Sequence, residues 1–293
     1  MKYFLSIFVL ALAARLSAPA QIVTVQVLLD QDQFLPGETL PVTVRVSNNS
    51  GQMLHLGADA DWLKFRVQPG DSDSMVMNNG KVPVTGEFNL GTTEVATKHV
   101  DIAPYFSLGK TGRYRVTAIV HIKEWDKDVV SPPKTFNVID GARLWSQDFG
   151  VPASGGATNQ LPEIRKYILE EANYLQKQLR LYVLVSDATG SRILKVSAIG
   201  QMVSFSQPEA QLDRASNLHV LYQSGAHSYV YAIITPDGGI AQRDIYDFVT
   251  TGPHLGINKT GDIAVKGGVR RMRPGELPEI KAPNAVTPPP AKK

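Results

Sequence analysis

A chain of 293 residues that is 43% hydrophobic carries enough apolar side chain for two cores of ordinary size, which excludes an extended, low-complexity molecule. Thirty basic residues against 27 acidic ones leave a formal charge of +3, dispersed apart from Arg270, Arg271 and Arg273, too little for a nucleic-acid footprint. The absence of cysteine excludes disulfides, thiolate metal sites and a lipid-modified N-terminal Cys.

Lys2, the apolar run Tyr3 to Ala14 and the small residues Ala18-Pro19-Ala20 predict a secretory signal peptide over residues 1–20, with Gln21 as the mature start. Arg15 ends the run short of the roughly 18 to 20 apolar residues that a bilayer span needs, so no transmembrane anchor is expected after cleavage. Export without cysteine points to a bacterial protein that is periplasmic, on the cell surface or extracellular. In that setting the Asn-x-Ser/Thr sequons at Asn48 and Asn258 read as chance matches.

Residues 21–141 have the pattern of a β-sandwich. Leu40 to Val46 alternates strictly, with Val42, Val44 and Val46 on one face and Thr43 and Arg45 on the other. Further strands are expected at 22–29, 53–56, 63–67, 86–90, 96–102, 113–122 and 134–139, with a turn at Pro36-Gly37. Gly112-Arg113-Tyr114-Arg115-Val116 resembles the tyrosine corner of immunoglobulin-like sandwiches, with Val116 where the inter-sheet Cys would stand, and Trp62 lies roughly where such domains keep a buried Trp. The resemblance implies an immunoglobulin-like fold and no activity.

Residues 142–162 read as a junction: an apolar cluster of Leu144, Trp145, Phe149 and Val151 at the domain boundary, then a connection of small residues. In 163–273, Glu163 to Leu179 reads two ways. Ile164, Ile168, Ala172, Leu175 and Leu179 fall at helical spacing, whereas the likeness of Tyr182-Val-Leu-Val-Ser-Asp to Tyr231-Ala-Ile-Ile-Thr-Pro-Asp puts a strand there. Three strands are expected in 217–223, 229–235 and 240–246, separated by Ser-Gly-Ala-His and Pro-Asp-Gly-Gly turns. The opening of this meander returns downstream: Pro208, Leu212, Asp213, Asn217, Leu218 and Val220 match Pro253, Ile257, Asn258, Asp262, Ile263 and Val265 at a constant offset of about 45 positions. The apolar members Leu212 and Ile257 are expected to be buried, and Asn217 and Asp262 to open the next strand.

That repeat, with Ser186-Asp187-Ala188-Thr189-Gly190, resembles the blades of sialidase-like propellers, although the Trp that ends the Asp-box is missing and Asp187 and Gly190 read as hairpin-turn residues. The stretch from Leu161 to Arg273 is shorter than the roughly 160 residues that four blades require, so an open or sandwiched sheet of two to three blade-like units, or a partial ring completed by another subunit, is expected. Residues 274–293 form a Pro-rich tail without core-forming residues, expected to be extended or disordered. The fold class is therefore all-β, an immunoglobulin-like sandwich followed by a blade-like β-meander domain, with the segment 163–179 open to helix or strand.

No catalytic, cofactor-binding or metal-ligating residue is assigned. Nucleophile-elbow, zincin, Walker and dinucleotide motifs are absent, and His55, His99, His121, His219, His227 and His254 show no ligand spacing. Asp213, His219 and His227 are the one candidate acid–base or metal cluster, set against a plain reading of His219 as a strand side chain and His227 as a turn residue. Glu170 and Glu171 need be no more than a solvated face. The expected function is a non-enzymatic binding or structural module of the envelope with a protein or polysaccharide partner. The alternative is a carbohydrate-active protein using Tyr222, Tyr229, Tyr231 and Tyr246 to stack on sugars.

Overall fold

The computed structural model describes residues 23–70, 72, 74–151, 163–174, 178–273 and 276; the predicted leader, most of the small-residue connection and nearly all of the Pro-rich tail lie outside them. The chain divides into two compact units, Met1–Gly141 and Ala142–Lys293. Both are built from strands, and none of their sheets closes into a barrel. Among the described residues no helix is long and apolar enough to cross a membrane.

The first unit contains β1 (Val23–Leu29), β2 (Gln33–Phe34), β3 (Pro41–Asn48), β4 (Leu54–Leu56), β5 (Leu63–Pro69), β6 (Phe88–Leu90), β7 (Val95–Asp101), β8 (Gly112–Ile122), β9 (Lys127–Val130) and β10 (Lys134–Val138). One sheet runs β1-β3-β7 and the other β2-β10-β8-β5, with β9 on β8 and a small β4-β6 ladder besides. Alternation decides the packing: Val42, Val44 and Val46 of β3 and Val116, Ala118 and Val120 of β8 enter one core, each at most 1% exposed. Each fully buried large side chain there contributes roughly 1.5–3 kcal/mol. Trp62 joins that core and donates its indole N–H to the carbonyl of Val84 at 3.0 Å. The Tyr114 hydroxyl donates back to the Lys110 carbonyl at 2.7 Å, the bond that the corner motif anticipates. β9 is a strand that the sequence reading lacks; it follows a turn in which Asp126 takes φ 47°. The Asn48 side chain is buried and its amide donates to the carbonyls of Gln52 and Leu90, so it serves the fold from the interior.

The second unit contains β11 (Ala142–Val151), β12 (Glu163–Tyr174), β13 (Gln178–Asp187), β14 (Ile193–Met202), β15 (Glu209–Leu212), β16 (Leu218–Gln223), β17 (Ser228–Ile234), β18 (Ile240–Asp247), β19 (His254–Ile257), β20 (Ile263–Lys266) and β21 (Val269–Arg270). Two meanders, β11-β12-β13-β14 and β15-β16-β17-β18 with β21 added at the edge, face each other across a shared core. Tyr167, Leu169, Leu181 and Val183 fill it from one side, and Leu218, Val220, Tyr222 and Ala232 from the other. The hairpin β19-β20 forms a third layer, laying Leu255 against Leu221 and Tyr231 on the opposite face of the second meander.

The described residues of the open segment at 163–179, which are 163–174 and 178–179, resolve as strand. Tyr167, Ile168 and Leu169 are consecutive and each at most 2% exposed, so both faces of β12 are buried, which mimics helical spacing in a strand covered on two sides. The apolar cluster of the expected junction lies in β11, whose Phe149 stacks on Tyr167 with ring centroids 4.0 Å apart.

The downstream echo is real at the turns. Asp213 Oδ1 accepts the backbone N–H groups of Ala215 and Asn217, both at 2.8 Å; Asn258 Oδ1 accepts those of Thr260 at 2.9 Å and Asp262 at 2.8 Å. The left-handed residue of each turn also corresponds, Ser216 at φ 62° and Gly261 at φ 86°. Asn217 and Asp262 immediately precede β16 and β20, as expected. The burial expected of Ile257 fails: it is 68% exposed, because β19 belongs to a two-stranded hairpin too small to cover its tip, whereas Leu212 packs against the shared core.

Candidate binding cleft

Strand register gathers the charged and aromatic residues of the second meander on its outer face. Leu221, Tyr231 and Asp244 lie in one row across β16, β17 and β18; Tyr229, Tyr246 and Arg270 lie in the next, across β17, β18 and β21. Residues two apart on a strand share a face, so Gln242 joins Asp244 and Tyr246. Gln242, Asp244, Tyr246 and Arg270, together with Arg273 and Glu276, line a cleft of about 640 Å³.

Asp244 is the buried charge of this site, 3% exposed. Its Oδ1 accepts Arg273 Nε at 2.9 Å and Nη2 at 2.6 Å, its Oδ2 accepts the Gln242 amide, and Arg270 Nη1 stands 3.6 Å away. Burial alone would push its carboxyl up; the bonds from Gln242 and Arg273 and the two guanidinium charges outweigh it and hold the carboxyl below the usual range. Arg270 forks onto Glu276, with Nη1–Oε1 3.3 Å and Nη2–Oε2 3.0 Å, and Glu276 Oε2 also accepts the Arg273 backbone N–H at 3.0 Å. The Arg270 guanidinium therefore holds Glu276 low. Arg271 points away and clasps Asp247, Nη2–Oδ1 2.6 Å and Nε–Oδ2 3.1 Å.

Beside the cleft runs a buried hydrogen-bonded chain. His219 Nδ1 is 2.6 Å from the Tyr231 hydroxyl and its Nε2 is 3.3 Å from Asp213 Oδ2. Burial, with the charges of Asp244 and Asp213 nearby, pushes the Tyr231 hydroxyl up to about 12. Asp213 is held low although burial opposes it, by bonds from Asn217, His219 and Ala215. Tyr231 and His219 are each 5% exposed, so the chain ties buried strand positions together, and it reaches solvent at Asp213, whose side chain is partly exposed.

The predicted cluster is thus half assembled: Asp213 and His219 pair, whereas His227 sits against Phe248 with ring centroids 6.2 Å apart. The four tyrosines divide as well. Tyr222 is buried in the core with its hydroxyl on the Ile199 carbonyl, Tyr231 is buried beneath the third layer, Tyr229 packs partly buried against that layer, and Tyr246, half-buried, reaches the cleft. Glu170 and Glu171 are consecutive on β12 and therefore point to opposite faces, away from any shared chemistry. Among the described residues no three His, Asp or Glu side chains form a group able to hold a metal ion. Asp244 and Glu276 were not singled out from the sequence. The available signals were the Arg270, Arg271, Arg273 run and a carboxylate two positions from Tyr246, on the same face of β18.

No protein-family model matches the sequence, and a search of curated proteins found no match. Among solved structures the chain is similar to the sporulation control protein Spo0M from Bacillus subtilis, at 14% identity over 62% of this chain and 91% of that one. The TM-score of 0.29 makes this a likeness too slight to carry an argument about fold or activity.

Proposed function

We propose that the protein is an exported, non-enzymatic binding or structural module of a bacterial envelope. In this reading an immunoglobulin-like sandwich acts as a spacer or docking unit, and propeller-blade-like meanders present the contact surface. The observation that carries it is the cleft on the second meander, which offers fixed charges and one aromatic face in a concave setting. Both of its carboxylates are paired with arginine and held ionised, so neither is in the protonated state that a general acid needs near neutral pH. The tyrosine-corner bond supports the immunoglobulin-like reading of the first unit, and the paired Asp213 and Asn258 turns support blade-like repetition in the second. The Lys2, apolar-run and Ala-Pro-Ala pattern supports export.

The test is expression of the full chain in a bacterium, followed by osmotic-shock fractionation, N-terminal sequencing and sedimentation with isolated envelopes. The expected result is a mature start at Gln21 and retention on the envelope fraction. Cytoplasmic protein that retains Met1, or exported protein that never cosediments, would sink the proposal. A carbohydrate-active role is the second reading, favoured by Tyr246 on the cleft wall, where a ring can stack on a sugar face.

A further inference from the structure

We infer that the cleft of the second unit binds the carboxylate of a uronic-acid residue in an anionic polysaccharide, and that Glu276 occupies the same place in the unliganded chain. The inference rests on the binding-module reading and names its ligand class. Three observations carry it. First, Arg270 is arranged as a fork and already holds a carboxylate in that geometry, through Nη1 at 3.3 Å and Nη2 at 3.0 Å, with the Arg273 backbone N–H as a third donor at 3.0 Å. Second, that carboxylate belongs to a side chain 35% exposed, and an ion pair so exposed is screened and readily exchanged. Third, the fork stands beside Tyr246, and Arg270 and Tyr246 are register partners on neighbouring strands. A carboxylate donor site next to a half-buried aromatic ring suits a charged sugar, whose ring face stacks while its carboxylate is clasped.

Asp244 makes the selectivity. Arg273 gives its Nε and Nη2 N–H groups to Asp244 Oδ1, so that guanidinium is fixed in place, and Arg270 is left as the exchangeable partner. The charges then add up to a site for one carboxylate per sugar: displacement of Glu276 frees one fork, and a polymer supplies many carboxylates against a single tethered one.

The experiment is calorimetric titration of the mature full chain with polygalacturonate, with neutral dextran, poly-L-glutamate and dextran sulfate as separate arms. Polygalacturonate is expected to bind, and the other three to bind at least about tenfold more weakly, the loss expected when a charge-assisted bond or its aromatic neighbour goes unused. Arg270→Ala should weaken polygalacturonate binding about tenfold or more, whereas Arg271→Ala, which removes an equal charge outside the cleft, should leave it within about twofold. Glu276→Gln should tighten it several-fold, by removing the internal competitor. Near-ultraviolet circular dichroism checks that each variant is folded, and because Glu276→Gln is read as a gain it cannot be mimicked by unfolding. Equal losses from Arg270→Ala and Arg271→Ala, an unchanged Glu276→Gln, or poly-L-glutamate binding as tightly as polygalacturonate would each overturn the inference. So would no polygalacturonate binding at all; if the protein still cosediments with envelopes, the binding-module reading survives that result, and if it does not, both fail.

Discussion

The two units bury their amide and ionisable side chains in different places. In the first, Glu38 and Asn48 are buried at turns and serve the main chain: Glu38 Oε2 accepts the Leu35 N–H at 2.8 Å, and Asn48 donates to the carbonyls of Leu90 and Gln52. In the second, His219 and Asp244 are buried in mid-strand and bond chiefly to other side chains, Tyr231, Asp213, Arg273 and Gln242. A polar group that satisfies backbone at a turn is accounted for by folding alone. A charge in mid-strand, where an apolar residue would pack at lower cost, needs its partners to survive, and those of Asp244, which are Arg273 and Gln242, line a concave surface.

The largest effects should come from breaking each core separately. Trp62→Ala should cost the first unit about 3–5 kcal/mol and Leu181→Ala the second about 2–5 kcal/mol. Hydrogen exchange read by mass spectrometry during urea titration should assign each loss to its own unit; a loss shared equally by both would blur the contrast. Next, Asp244→Ala should cost about 2 kcal/mol by stripping charge-assisted bonds from a site in which Arg273 is half-exposed and can rehydrate. Glu38→Ala should cost about 1 kcal/mol. Only the first of these should also disturb the cleft, seen as altered chemical shifts at Tyr246 and Arg270.

Part of this contrast was legible in the sequence and part was not, for physical reasons. The turns at Asp213 and Asn258 could be read because their hydrogen bonds close within four residues, so composition alone encodes them. The strand at β12 could be read only as one of two options beside a helix, because burial on both faces erases the alternation by which strands are recognised. The cleft could not be read: Asp244 and Arg273 are 29 positions apart and meet only once the chain returns along β18. Ile257 shows the limit of the repeat, since matching sequence positions are buried alike only when equal numbers of strands surround them.

Acid should separate the units by a smaller margin. Asp213 and Asp244 have folded carboxyls below the value of about 3.9 expected in the unfolded chain. Their contribution is complete above that value and is lost as pH falls through it toward the folded values, so the second unit should lose stability before the first between about pH 5 and pH 2. Asp61 of the first unit, held low by its bond from Lys81, is about half-exposed and so contributes little. Thermal melts followed by unit-resolved hydrogen exchange across that range check the order, and simultaneous acid unfolding would refute it. The smallest effect is expected from Ile257→Ala, under about 0.5 kcal/mol as for an exposed side chain, against about 2 kcal/mol or more for Leu255→Ala in the same hairpin. Equal costs at the two positions in urea titration would mean that the tip of the hairpin is covered in solution.

The strictly consecutive pairing of the two meanders has a kinetic consequence. Every ladder from β11 to β14 and from β15 to β18 joins neighbours in sequence, whereas the first unit must bring Phe34 to Val138 and Leu63 to Val120 before its second sheet exists. Short loops close early and long ones late, so refolding from denaturant should be biphasic, with the second unit acquiring exchange protection ahead of the first. On a ribosome, where the first unit emerges first, the order of synthesis and the order of intrinsic speed then oppose each other, and pulse-labelled refolding of the full chain would tell which of them governs.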